Sequence, residues 1–87
     1  MSLDEQFEAA EKVIKTLTKR PTDEELLELY GLFKQAMIGD CNTQKPGLFD
    51  MKAKAKWQSW NSKKGVSKED AKKAYIELVN NLMEKYK

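Results

Sequence analysis

The sequence predicts an all-α fold: four helices in one bundle, with a long loop between the second and third. Three observations carry that prediction. A hydroxyl residue stands three positions before an acidic one at Ser2–Glu5, Thr22–Glu25 and Ser67–Asp70, the spacing that lets a side-chain oxygen cap a first helical turn. Apolar residues after each cap recur at steps of three and four, the period of a helix with one buried stripe. No segment shows the alternation of apolar and polar residues expected of a half-buried strand.

The first element follows Ser2, where Leu3, Phe7, Ala10, Ile14 and Leu17 make one stripe. The second runs from Thr22 to about Ile38, with Pro21 outside its start and Gly39 placed to cap its end. Leu26, Leu29, Tyr30, Phe33 and Met37 share a face about 100° wide, bordered by Lys34. A third helix is expected from Phe49 or Asp50 to Asn61, with Ala53, Trp57 and Trp60 on one side and Lys52 and Lys56 stacked beside them. Asn42, Pro46 and Gly47 mark residues 39–49 as an ordered loop. The fourth helix follows Ser67 and carries Ala71, Tyr75, Leu78, Leu82 and Tyr86.

The 87 residues make one domain, 1–87, with a small core, since a chain this short buries roughly 60–65% of its unfolded surface. Histidine is absent and Cys41 is the only cysteine. An intramolecular disulfide, a Cys/His zinc site and any His-based acid–base centre are therefore excluded. No apolar run approaches the ~20 residues of a membrane-spanning helix. The acidic start Met1–Gln6 lacks the basic and apolar regions of an export signal, so the expectation is a cytoplasmic protein whose thiol stays reduced. The net charge of +2 hides an uneven distribution: residues 21–40 carry one basic and five acidic side chains, residues 41–66 six basic and one acidic.

Two strings stand out: Y-G-L-F-K-Q-A-M-I-G-D-C-N over Tyr30–Asn42 and K-P-G-L-F-D-M-K-A-K-A-K-W-Q-S-W over Lys45–Trp60. With S-K-E-D-A-K-K-A-Y over Ser67–Tyr75, they make the chain resemble the acyl-CoA-binding protein family, also called diazepam-binding inhibitor, along essentially its whole length. The resemblance implies a four-helix bundle that holds a long-chain fatty acyl-CoA without covalent bonds, carrying and pooling it with no catalysis and no cofactor or metal. It implies ligand contacts at Lys15, Tyr30, Phe33, Lys34, Lys52, Lys56 and Tyr75. Tyr30, Lys34 and Lys56 fall where the family meets the 3′-phosphate, and Phe33 where it packs on adenine. Phe33 departs from the family's usual tyrosine, a change that keeps ring stacking and removes a phenol hydrogen bond.

Those residue types suit such a ligand in their own right. Lys34 and Lys56 border apolar faces, so their stems can pack while their ammonium groups reach a phosphate. Leu26 lies one turn before Tyr30 and is the candidate acyl-chain contact. Burying about sixteen carbons at ~0.8 kcal/mol per CH₂ gives an upper limit of ~12 kcal/mol before the cost of association. The tail should then dominate affinity, and the lysines should set orientation. Taken without the family, the same residues have plainer explanations: lysines as a solvated helix face, Tyr30 and Tyr75 as half-buried core. Trp57 and Trp60 read as core in either case.

The rival classes are a nucleic-acid binder, an enzyme and a peptide-binding or signalling module, the last of which leaves little trace in sequence. Lysines interleaved with aromatics can hold phosphates and stack bases, but Arg20 is the only arginine and the pI is 8.6, which disfavours base readout. No arrangement of Lys, Cys or carboxylates suggests a catalytic centre. The expected partner is long-chain acyl-CoA, not nucleic acid. The chain is expected to be monomeric, without stable membrane insertion, and to make transient contact with membranes or acyl-CoA-using enzymes.

Overall fold

The three helices with a capping signature begin where it predicts, and the third begins at Met51, just past the expected Phe49 or Asp50. In the computed structural model, which describes all 87 residues, α1 spans Leu3–Ile14, α2 Asp23–Met37, α3 Met51–Asn61 and α4 Lys68–Lys85, and there are no strands. Two caps close as reciprocal boxes. The Ser2 hydroxyl accepts from the Glu5 N–H at 3.1 Å, while the Glu5 carboxylate accepts from the Ser2 N–H at 3.0 Å. Thr22 and Glu25 repeat this at 3.2 and 2.9 Å. Ser67 caps the Asp70 N–H at 3.0 Å without a returning bond, because an Asp side chain is one methylene shorter than Glu. Asp50 caps α3 by accepting from the Ala53 N–H at 3.1 Å. At the far end of α2, Gly39 takes φ +99°, the left-handed geometry that stops a helix at low cost in glycine.

The backbones pack in the order α1, α4, α2, α3: α4 touches α1 and α2, and α3 touches α2 alone among the helices. Phe7 and Ala10 of α1, Leu29, Leu32 and Ala36 of α2, and Ala71, Tyr75, Val79 and Leu82 of α4 form the core. The molecule measures 38 × 28 × 15 Å. Ion pairs lace its edges, Lys72–Asp4 between α4 and α1 and Lys85–Glu25 between α4 and α2.

Three sequence expectations need correction. The α1 stripe does not continue to Leu17, because the helix tightens after Ile14 into three-residue bonds, Thr16 N–H to Val13 O and Leu17 N–H to Ile14 O. The α2 stripe is misplaced: Leu32 and Ala36 are buried beside Leu29, whereas Met37 is exposed. Sandwiched between α4 and α3, α2 buries two faces, and the second is lined by Gly31 and Gln35, which an apolar count passes over. In α4, Val79 is fully buried, whereas Leu78 and Tyr86 lie half-buried around the core.

The second face of α2 is a close crossing. A Cβ on Gly31 would lie 2.6 Å from the Ser59 carbonyl oxygen and 2.8 Å from its hydroxyl. That hydroxyl donates to the Leu27 carbonyl at 2.5 Å, joining α3 to α2 one turn away. Gln35, also fully buried, donates through Nε2 to the Asp40 carboxylate at 2.9 Å and to the Val66 carbonyl at 2.7 Å. Asp40 accepts in addition from the Gly65 N–H at 2.9 Å. That bond first, then Gln35, holds its carboxyl below the usual range. Trp60 Nε1–H donates to Gly39 O at 2.8 Å and Trp57 Nε1–H to Thr43 O at 2.9 Å. The expected core role fits Trp60, which is buried, while Trp57 is half-buried and pins the long loop.

Two outcomes follow for stability. Gly31→Ala removes a poor helix former, which by propensity alone would gain ~1 kcal/mol. The clash with Ser59 outweighs this, and urea unfolding should show a net loss of ~1–3 kcal/mol; a gain would refute the close crossing. Glu25 is bonded by Lys85 first and then by Tyr86 and the Thr22 N–H, which lowers its pKa from 4.5 to about 2. A depressed carboxyl stabilises the fold above its unfolded pKa, and the contribution disappears as pH falls through the folded one. Glu25→Gln should therefore lower the thermal midpoint near neutrality, with the deficit shrinking between pH 4.5 and about 2. A deficit constant across that window would remove Glu25 as its source.

Candidate functional site

The crossing at Gly31 lets α2 and α3 diverge on one side into an open groove of about 390 Å³. Its walls are Leu26, Leu27 and Tyr30 from α2 and Met51, Lys52, Ala55 and Lys56 from α3, with Arg20 and Asp23 at one end. On α2, Leu26 and Tyr30 are one turn apart and both line the groove, Leu26 also packing against the edge of the core. Lys52 and Lys56 stand one turn apart opposite them. Three cations face one carboxylate across five largely apolar side chains. The groove thus suits an anion with an apolar extension, and its volume lies within the ~300–1,000 Å³ usual for small-molecule sites.

Two cation–π rungs tie the helices above this groove. Lys56 Nζ of α3 lies 5.5 Å from the centre of the Tyr30 ring on α2. One turn on, the donor and acceptor helices exchange, and Lys34 Nζ of α2 lies 4.8 Å from the Trp60 ring on α3. Such contacts are worth ~0.5–1 kcal/mol at exposed sites. Charge-assisted hydrogen bonds to an oxyanion are worth ~1.5–3 kcal/mol. The rungs therefore park both ammonium groups where an arriving phosphate can draw them away. Arg20 is paired with Asp23 at 2.8 Å, but both side chains are exposed, so the pair holds either charge only weakly.

Of the eight residues expected at the ligand, the groove brings together Leu26, Tyr30, Lys52 and Lys56. Lys34 lies beside them, one turn along α2 from Tyr30. Phe33 and Tyr75 are elsewhere, in an aromatic cluster with Phe7. The Phe7 and Phe33 rings stack at 5.8 Å, and Tyr75 is tilted against both, at 5.0 and 6.0 Å. Tyr75 is buried, and burial first, then the Glu11 charge, pushes its phenol pKa up. Lys15 is exposed at the C-cap of α1, outside the groove. Leu27, Met51, Ala55 and Asp23 line the groove without having stood out in the sequence. Leu27 lies outside the α2 apolar face drawn from the periodicity, and nothing in the periodicity separates Met51 and Ala55 from a solvated helix.

The groove's residues, both rungs and the aromatic cluster all fall within residues 4–79, which match the sequence model of the family described as "Acyl CoA binding protein". The chain belongs to the acyl-CoA-binding protein family. It is 56% identical over 84 residues to the acyl-CoA-binding protein homolog of Drosophila melanogaster, covering 97% of this chain and 98% of that one. Acyl-CoA-binding protein homolog 1 of Caenorhabditis elegans is 54% identical over 80 residues, 92% of this chain and 93% of that one. The four helices superpose on the crystal structure of Oryza sativa acyl-CoA-binding protein 2 with a TM-score of 0.93, at 42% identity and over 97% of this chain and 93% of that one. The fold is thus shared with that acyl-CoA-binding protein over nearly the whole of both chains.

Proposed function

We propose that the chain binds long-chain fatty acyl-CoA in the α2–α3 groove and acts as a monomeric cytoplasmic carrier and reservoir of the intact thioester. The observation that carries this reading is one groove with apolar walls and a lysine edge, Leu26, Leu27, Tyr30, Met51 and Ala55 against Lys52 and Lys56, in a member of this family. Lys56 and Lys34 exchange their ring contacts for the phosphates of the head group, and Lys52 and Arg20 add to the field that draws it in. Leu26, Leu27 and Ala55 cover the start of the acyl chain. Phe33, stacked on Phe7, presents whatever ring surface the adenine uses, with Tyr75 supporting it from below. Lys15, at the end of α1, contributes as a solvent-side cation. No proton transfer or covalent step is assigned to any residue, and the carrier releases what it binds.

The role of the two lysines is tested by titrating palmitoyl-CoA calorimetrically into Lys34→Ala and Lys56→Ala. Each should bind about 10- to 100-fold more weakly, with thermal unfolding close to wild type, because each ammonium gives up only one ring contact. Unchanged affinity in both variants would take these lysines out of the site. The two-part character of the groove is tested with the separated halves. Free palmitate and free CoA should each bind far more weakly than the thioester; equal affinity for palmitate would mark a general lipid carrier. Steady appearance of free CoA, or an oligonucleotide that displaces palmitoyl-CoA, would replace the carrier reading with an enzyme or a nucleic-acid binder.

A further inference from the structure

Apart from Met1 at the N-terminus, the most exposed apolar side chains of the molecule gather at one place. Phe49 is 100% exposed, Leu48 74% and Met51 70%, and all three lie where the long loop turns into α3. Isolated exposed apolar residues are ordinary, but three within four positions, one of them a phenylalanine in no contact with the fold, form a tip. The tip does not collapse inward because the segment is fixed on both sides. Trp57 and Trp60 hold the loop at Thr43 and Gly39, and Asp50 caps α3.

The charge around the tip is predominantly positive. Lys45 precedes it, and Lys52, Lys54 and Lys56 follow on α3. At 100° per residue, Lys54 and Lys52 flank Met51 at about 60° and 100° on either side. None of the four lysines is held in an ion pair, whereas Lys63, Lys72 and Lys85 all are. The one carboxylate nearby, Asp50, has a side-chain oxygen occupied by the Ala53 N–H. An aromatic and two aliphatic side chains ringed by unpaired lysines match an anionic lipid surface. The apolar tips enter the headgroup–acyl boundary and the ammonium groups meet lipid phosphates and carboxylates.

We propose that Leu48, Phe49 and Met51, ringed by Lys45, Lys52, Lys54 and Lys56, form a docking tip for anionic membranes. Met51 belongs to both the tip and the groove wall, so docking places the mouth of the groove at the lipid surface. If the groove carries acyl-CoA, as proposed above, the acyl chain passes between bilayer and groove without crossing bulk water. That consequence rests on the carrier reading; the docking itself does not.

The test uses the full chain without acyl-CoA, floated with vesicles of phosphatidylcholine alone or with about 30% phosphatidylserine. Wild type should float with the anionic vesicles and not with the neutral ones, and added salt should release it. The double variant Leu48→Ser/Phe49→Ser, which leaves the groove lining intact, should partition at least about tenfold more weakly, with palmitoyl-CoA affinity in solution unchanged. Equal flotation of wild type and variant, equal binding to neutral vesicles, or no flotation of wild type at low salt would each overturn the proposal. Concentration-dependent dimerisation of wild type, abolished in the variant, would also overturn it and assign the tip to a second copy of the chain. Failure to bind palmitoyl-CoA in solution would sink the carrier reading alone.

Discussion

Where α2 meets α3 at Gly31, the two backbones come so close that a single methyl group has no room. A Cβ there would meet the carbonyl and hydroxyl of Ser59 at 2.6 and 2.8 Å. The shape of the groove depends on this crossing. It brings Lys56 over Tyr30 and Lys34 over Trp60, and it sets the point from which the helices diverge into the groove. Pushed apart by even an ångström, the same side chains would line an open surface. The Ser59 hydroxyl bond to Leu27 O keeps the approach in place without requiring apolar packing on α3.

That economy matters because α3 has little apolar surface to offer. Its one buried residue is Trp60, and the nine-residue core is built by the other three helices. Polar ties substitute for packing. Gln35 joins the end of α2 to Asp40 and to the segment before α4, and Asp40 reaches Gly65 in turn. Buried hydrogen bonds of this kind are net stabilising by only ~0.5–1.5 kcal/mol each, yet breaking one leaves a desolvated group that costs more. They therefore fix geometry more than they add stability. The residues between Lys34 and Asp40 consequently serve two purposes, with Lys34 crossing to the Trp60 ring on α3 and Gln35, Gly39 and Asp40 holding the loop that α3 depends on.

How much of this could be read from the chain varied by kind of interaction. Caps and stripes are local, so the four helices were legible to within a few residues, and the long loop with them. Leu17 misled because its spacing is helical while the backbone has already tightened at Thr16. Met37 misled, and Leu32 and Ala36 were missed, because α2 is covered on two sides and periodicity assumes one. The groove's lysine edge stood out as the i, i+4 pair Lys52 and Lys56, and Tyr30 and Leu26 as members of the α2 apolar face. Its far wall did not, since Met51 and Ala55 become lining only through a crossing encoded by a glycine and a serine. Phe33 and Tyr75 were legible as aromatic members of apolar stripes, but their packing on Phe7 joins residues 26 and 68 positions apart, beyond any local pattern.

Because α3 leans on α2 and on no other helix, the molecule has a seam. Opening it would expose Trp60 and break a handful of side-chain bonds, while the three-helix core of Phe7, Leu29, Tyr75 and Val79 stays closed. Segments with few buried apolar contacts open at a fraction of the global free energy. The amides of α3 and of the loop before it thus exchange with solvent through a smaller excursion than those of α4. The wall of the groove breathes on a core that does not, so a bound chain can leave by a local motion while the rest of the protein remains folded.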